Sequence, residues 1–120
     1  MNPSTEKLIY AIQTGIEEKK GHDIVIADLS SITDAVCQAF VICTGNSPSH
    51  LQALADSVEE FARKGAQARP IATCGRQNAL WVAMDYGDVM VHIFLEEMRQ
   101  FYDIEHLWAD AQITSIPDLL

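Results

Sequence analysis

The chain has 120 residues, which is enough for one domain with its own core and too few for two ordinary domains. Seventeen acidic residues against eight basic ones give a net charge of −9. Because a nucleic-acid-binding surface needs clustered Lys and Arg, we expect no extensive direct nucleic-acid binding. No apolar run approaches the roughly 20 residues that span a bilayer.

The first residues and the cysteines indicate a reducing compartment. The stretch MNPSTEKLIY has neither the basic flank and apolar run of a secretion signal nor the Arg-rich character of a transit peptide, so we expect a cytoplasmic location. Cys37, Cys43 and Cys74 are widely spaced and form no Cys-x-x-Cys pair. We therefore expect buried thiols rather than a disulfide framework or a zinc site.

Two helices are predicted in the first half of the chain. Apolar residues recur at the helical period from Ser4, a candidate cap, to about Lys20. A second helix has Ser47 as its cap and Pro48 as its first residue, and it ends at Gly65. The preceding stretch TGNS is explained as a turn and cap, because no Gly-Lys-Ser/Thr follows as it would in a phosphate-binding loop.

Five strands are predicted from short runs of apolar and β-branched residues. They are residues 23–30, 39–45, 68–73, 80–86 and 88–94. The last two form an antiparallel hairpin in which Gly87 supplies the positive φ of a tight turn. A strand–helix–strand crossover favours parallel pairing elsewhere. We therefore expect a single α/β domain with a mixed β-sheet of about five strands and flanking helices.

The end of the chain is predicted to be a helix over residues 95–108, followed by a tail without a strong pattern. The helix combines carboxylates with aromatic rings: Glu96, Glu97, Asp103, Glu105, Phe101, Tyr102 and Trp108. Aromatic anchors surrounded by charges are typical of protein-binding surfaces. The alternative is a position in the core, which we favour for Phe101 and Trp108 and leave open for Tyr102.

The hairpin sequence MDYGDVMVHIF contains carboxylates close to a histidine. Strand alternation predicts that Trp81, Asp85, Asp88 and His92 gather on the less covered face, while residues 89, 91 and 93 face the core. Such a group is compatible with a metal or acid–base site, but its spacing is not diagnostic. We favour a structural alternative in which both Asp side chains bond to turn N–H groups and His92 pairs with a neighbouring polar group.

Three stretches together resemble the ribosomal silencing factor family, also called RsfS or Iojap. They are DIVIADLSSITDA, FVICTGNS and WVAMDYGDVMVHIFLEEMRQFYDIEHLW. The resemblance covers about residues 5–110, and it suggests a ribosomal silencing factor domain at 1–110 with a C-terminal tail at 111–120. The chain departs from the family pattern at Gln38-Ala39, where Asp-Tyr is common, and at Cys74, where Glu is often found.

The resemblance implies a fold related to nucleotidyltransferases but without their catalytic apparatus, and no cofactor. It also implies a translational repressor that binds the large ribosomal subunit through its fourteenth protein and blocks joining of the small subunit. Homodimers are a further implication. The alternative from the residues is a metal-dependent nucleotidyl or phosphoryl transfer enzyme that uses Asp85, Asp88 and His92, and a third hypothesis is an oligomeric scaffold without a ribosomal role.

A set of partner-binding residues follows when the family series is carried over position by position. It comprises Trp81, Asp85, Tyr86, Asp88, Glu96, Glu97, Arg99, Tyr102 and Trp108. The aromatic members are expected to make apolar contacts, and the carboxylates to face Lys or Arg of a basic ribosomal protein. Arg99 is expected either to bond to the partner or to hold the cluster together. No catalytic residue and no metal ligand is assigned.

Overall fold

In the computed structural model, which describes residues 1–104 and 111–118, six strands form one mixed sheet. The elements in chain order are α1 (Pro3–Glu18), β1 (His22–Asp28), β2 (Ala39–Gly45), α2 (Pro48–Ala66), β3 (Ala72–Cys74), β4 (Trp81–Asp85), β5 (Val89–Leu95), α3 (Glu96–Tyr102) and β6 (Gln112–Ile116). The order across the sheet is β3-β4-β5-β2-β1-β6, with β2 and β5 parallel and the other neighbours antiparallel. The predicted α/β domain with a mixed sheet is confirmed.

The strand β6 lies in the tail, for which no regular structure was predicted. It pairs with β1 from Ile24 opposite Ile116 to Asp28 opposite Gln112. Four of its five residues are exposed, so it has no buried alternating pattern for the sequence to reveal. The sheet therefore has one strand more than expected, while the division of the chain at residue 110 stays a prediction.

The two faces of the sheet are covered by different elements. On one face α1 and α2 pack over a large cluster in which Val82, Met84, Val89, Val91 and Ile93 are 0% exposed. This arrangement confirms that residues 89, 91 and 93 form the core face of β5. Burial of each of these side chains contributes about 1.5–3 kcal/mol relative to exposure. The cluster on this face contains more buried residues than the one on the opposite face.

The opposite face is covered by a smaller cluster. Residues of the β1–β2 connection and of α3 pack there against Phe40, Ile42 and Phe94. Ile104 closes the cluster beyond the end of α3 and is also buried. Because fewer elements cover this face, its aromatic residues reach from the core to the surface, and the candidate functional site lies here.

Two glycines with positive φ shape the hairpin that carries the site. At Gly87, φ is 86°, as predicted, and its N–H donates to Asp85 Oδ1 at 2.8 Å. At Gly75, φ is 85°, and an added Cβ would lie 2.0 Å from the carbonyl oxygen of Trp81. The loop before β4 therefore approaches Trp81 so closely that only glycine fits.

The helix boundaries differ from the prediction at two places. The cap of α1 is Asn2, whose Oδ1 accepts the N–H of Thr5 at 2.8 Å, so the assignment to Ser4 is wrong. Asn2-Pro3 follows the same cap-and-proline pattern as Ser47-Pro48, where Ser47 accepts the N–H of His50 as predicted. None of the helices in the described part of the chain is long and apolar enough to cross a membrane.

The last helix is shorter than predicted. It ends at Tyr102, and Asp103 adopts a left-handed conformation with φ of 48° that stops the helix. Residues 105–108 of the predicted helix lie outside the described residues.

The cysteine prediction is correct for two positions and wrong for one. Cys37 and Cys43 are buried, and burial raises the pKa of the Cys43 thiol to about 12. Cys74 is exposed, because it lies on the short edge strand β3. None of the cysteines forms a disulfide.

We expect Asn2→Ala to lower the free energy of unfolding by about 1 kcal/mol, because the first turn of α1 loses the acceptor of the Thr5 N–H. Ser4→Ala is the matched control, and it should change stability by less than about 0.5 kcal/mol. Urea unfolding followed by circular dichroism measures both values. Equal losses of stability in the two variants would contradict the assignment of the cap.

Candidate functional site

Aromatic rings pack together where β4, β5 and α3 meet, on the face opposite α1 and α2. Among the described residues the rings of this aromatic cluster are Phe40, Trp81, His92, Phe94, Phe101 and Tyr102. Exposure increases along the cluster, from 0% at Phe94 to 44% at Tyr102 and 78% at Phe101. The cluster therefore begins in the core and ends on the surface of α3.

Trp81 connects the buried rings to the exposed ones. It stacks on Phe94 with centroids 4.9 Å apart, and the two residues are directly opposite each other in β4 and β5. It also packs against Tyr102, with centroids 4.6 Å apart. Aromatic pairs of this kind stabilise by about 0.5–1.5 kcal/mol beyond the area they bury. Trp81 therefore anchors the end of α3 to the sheet.

His92 is buried beside Trp81 and is 6% exposed. The indole Nε1 of Trp81 donates to His92 Nδ1 at 3.1 Å, which confirms the expected pairing with a polar neighbour. Because an indole N–H can only donate, Nδ1 is unprotonated and the neutral imidazole carries its hydrogen on Nε2. Among the described residues Nε2 has no hydrogen-bond partner. Burial lowers the pKa of His92 to about 4, so the ring is neutral at pH 7.

The carboxylates of the hairpin do not converge on His92. Asp85 accepts the turn N–H of Gly87, as predicted. Asp88 instead accepts a long bond of 3.4 Å from Thr5 Oγ1 on α1, across the sheet from the aromatic cluster. The predicted gathering is therefore confirmed for Trp81 and His92, which are hydrogen-bonded to each other, and wrong for Asp88. The part of the chain that the structure describes contains no group of three His, Cys, Asp or Glu suited to a metal.

Tyr86 lies in the core, so its predicted place on the exposed face is wrong. It is 8% exposed and packs with the cluster under α1 and α2. Burial raises the pKa of its phenol, and the carboxylate of Glu59 adds to the rise. The reason is strand alternation, since Tyr86 continues the inward-facing series of Val82 and Met84 past the end of β4.

Arg99 fastens α3 to the sheet. Its Nη1 donates to Thr44 Oγ1 at 2.9 Å and also to the backbone carbonyl of Asp23. These atoms lie beside a cleft of about 530 Å³ between α3, β1 and β6. Of the two roles expected for Arg99, the bonds favour the one that holds the site together.

The remaining expected residues on α3 are exposed. Glu96 and Glu97 lie in its first turn, where negative charge is favourable near the helix N-terminus. Phe101 and Tyr102 follow at its end, and we name these four residues the α3 surface. Trp108, which was also expected to contact a partner, lies outside the described residues.

Two exposed apolar side chains at the site were not predicted from the sequence. Phe101 was assigned to the core but is the most exposed ring of the aromatic cluster. Leu80 was not singled out; it is 42% exposed, and its carbonyl accepts the N–H of Leu95 at 3.0 Å. The sequence predicts a helix that continues to residue 108 with Phe101 on its apolar stripe, but α3 ends at Tyr102. Leu80 precedes β4, so strand alternation does not apply to it.

Comparisons with known proteins identify the family. The family described as "Ribosomal silencing factor during starvation" (RsfS) matches residues 2–119. The ribosomal silencing factor of Halalkalibacterium halodurans is 30% identical over 98% of both chains. That of Bacillus subtilis is 36% identical over 83% of both chains.

A solved structure supports the same assignment. A crystal structure of a Bacillus halodurans protein has a TM-score of 0.78 and 28% identity, and the match covers 92% of this chain and 99% of that chain. The chain therefore belongs to the ribosomal silencing factor family, whose name describes a regulatory role.

The burial of His92 predicts a specific dependence of stability on pH. Its pKa of about 4 is below the value of 6.5 for an unperturbed histidine, so the unfolded chain binds this proton more tightly. The native state should therefore lose up to about 3 kcal/mol through this group as the pH falls from 6.5 to 4.

Urea unfolding at pH 7, 5.5 and 4.5 measures this contribution. Between pH 7 and 4.5, the free energy of unfolding of His92→Leu should fall less than that of the wild type. The difference between the two losses should approach about 3 kcal/mol. His22→Gln, at a partly exposed position, is the control and should follow the wild type. Parallel curves for the wild type and His92→Leu would contradict the assigned neutral, buried imidazole.

Proposed function

We propose that this chain represses translation by binding the large ribosomal subunit and blocking the joining of the small subunit. Membership of the family supports a ribosomal silencing role. The docking site is proposed at the exposed end of the aromatic cluster. Phe101 and Tyr102 expose large apolar rings on a helix that Trp81 and Arg99 hold to the sheet. Ordered, exposed apolar patches mark interaction sites.

The chemistry of the α3 surface supports a basic partner. Glu96 and Glu97 are exposed next to the rings, and the whole chain carries a net charge of −9. Complementary charge accelerates encounter and fixes orientation, while buried aromatic anchors supply most of the affinity. We therefore infer a partner face with an apolar recess rimmed by Lys or Arg, and we assign this face to a basic protein of the large subunit, its fourteenth.

The proposed mechanism is steric exclusion. The protein measures 36 × 33 × 29 Å along its principal axes. A body of this thickness, docked on the face of the large subunit that receives the small subunit, separates surfaces that must touch. Repression then needs no chemical step. It requires only that the docked protein stays bound while small subunits collide with the complex.

The enzyme alternative has no observation in its favour. Asp85 bonds within the turn, Asp88 bonds toward α1, and His92 is closed off beside Trp81. The proposed location is the cytoplasm. A homodimer and the lack of extensive nucleic-acid binding also remain predictions, and neither is needed for the exclusion mechanism.

Phe101→Ala should weaken binding to the large subunit by about 2 kcal/mol if Phe101 is a central anchor. Because Phe101 is 78% exposed, the replacement should leave the fold unchanged. The matched control is Tyr10→Ala, which removes a ring that is 70% exposed on α1, on the other side of the sheet. Co-sedimentation with isolated large subunits measures both, and equal affinities for the two variants would place the docking site elsewhere.

A charge reversal tests the electrostatic part of the proposal. The double variant Glu96→Lys with Glu97→Lys should bind the large subunit about tenfold more weakly, because two favourable interactions become repulsive. Glu17→Lys with Glu18→Lys makes the same change of net charge at the end of α1 and should bind as the wild type does. If both doubles bind equally weakly, net charge alone matters; if both bind as the wild type does, charge has no role. Either result would contradict a special role of the α3 surface.

A further inference from the structure

The hydrogen bond between Trp81 and His92 is the directional interaction in a cluster that otherwise consists of ring packing. Stacking on Phe94 and packing against Tyr102 tolerate rotation of the indole in its own plane, whereas the bond from Nε1 to Nδ1 at 3.1 Å does not. The bond therefore selects one orientation of the indole.

The sheet register makes this bond possible. Ala83 is directly opposite His92, and Trp81 is directly opposite Phe94, so Trp81 and His92 are diagonal neighbours on the same face. The small side chain of Ala83 leaves space for the indole to reach across to the imidazole. Phe40 also packs against His92 in a T-shaped pair, with centroids 4.9 Å apart and planes at 83°. Packing against Phe40 therefore fixes the imidazole in the position from which it accepts the indole N–H.

We propose that His92 is a positioning residue for partner binding: through Nδ1 it fixes the Trp81 indole, and the indole in turn places Tyr102 and the end of α3. This inference rests on the proposed function and deepens it. His92 is buried and does not touch the partner. It acts by keeping the docking surface in one conformation before binding, which lowers the ordering cost of association.

Two substitutions distinguish the effect of the hydrogen-bond acceptor from the effect of side-chain shape. His92→Leu keeps an apolar side chain of similar size but removes the acceptor. His92→Asn offers Oδ1 close to the position of Nδ1 and so preserves the acceptor. If His92→Leu does not fold, His92→Val supplies the same loss of the acceptor with a β-branched side chain suited to a strand. Thermal unfolding establishes that each variant is folded before the other measurements.

The first measurement uses the free protein. Nuclear Overhauser effects between the Trp81 and Tyr102 rings, with the indole N–H signal assigned by comparison with Trp81→Phe, report the orientation of the indole. These effects should disappear in His92→Leu, the indole signal should shift, and His92→Asn should restore both. Unchanged Overhauser effects in His92→Leu would overturn the proposal. Loss of the Overhauser effects in both His92→Leu and His92→Asn would also overturn the proposal. The shape of the imidazole, rather than its acceptor atom, would then be what orients the indole.

The second measurement is affinity for isolated large subunits. His92→Leu should bind about three- to tenfold more weakly, as expected for the loss of one hydrogen bond, and His92→Asn should bind within about twofold of the wild type. Wild-type affinity in His92→Leu would overturn the proposal. If the wild type itself does not bind, the proposed function fails, and the Overhauser effects in the free protein alone decide whether His92 positions Trp81.

Discussion

The stack of Trp81 on Phe94 is the interaction on which the surface of this protein depends. Phe94 is fully buried in the sheet, and Trp81 is its cross-strand neighbour. Because the indole stacks on Phe94, it has a fixed position on the less covered face. Tyr102 then packs on the indole, and Phe101 packs on Tyr102. A buried strand pair thus determines where an exposed helix presents its aromatic side chains.

The helix α3 needs this support because it is weak by itself. It has seven residues, none of them buried, and within the described part of the chain no side chain caps its first turn. Isolated helices of this length are unstable in water. Its position comes instead from the packing of Tyr102 on Trp81 and from the bonds of Arg99 to Thr44 and Asp23. Held in this way, the α3 surface is formed before any partner arrives, which favours affinity without a large ordering cost.

Most of the sheet and its inward-facing residues could be predicted, because strand alternation places residues such as Val91 and turn chemistry requires Gly87. The exposed site was harder to predict. Tyr86 is placed on the exposed face when the family series is carried over, although the alternation of β4 continues through it. Phe101 is predicted in the core from a helical stripe that extends to residue 108, whereas α3 ends at Tyr102. The strand β6 could not be predicted, because an exposed edge strand has no buried alternating pattern and is defined only by its pairing with β1. Long-range pairing and exposure are properties of the fold, which local sequence patterns do not contain.

Steric exclusion is tested most directly by the order of addition in a subunit-joining assay followed by light scattering. Purified large subunits are incubated with the protein first and then mixed with small subunits, and in the second arm the protein is added after joining. Steric exclusion predicts that joining is suppressed when the protein is added first and that ribosomes already joined change little at early times. Joining at the full rate on large subunits that carry the bound protein would contradict the account.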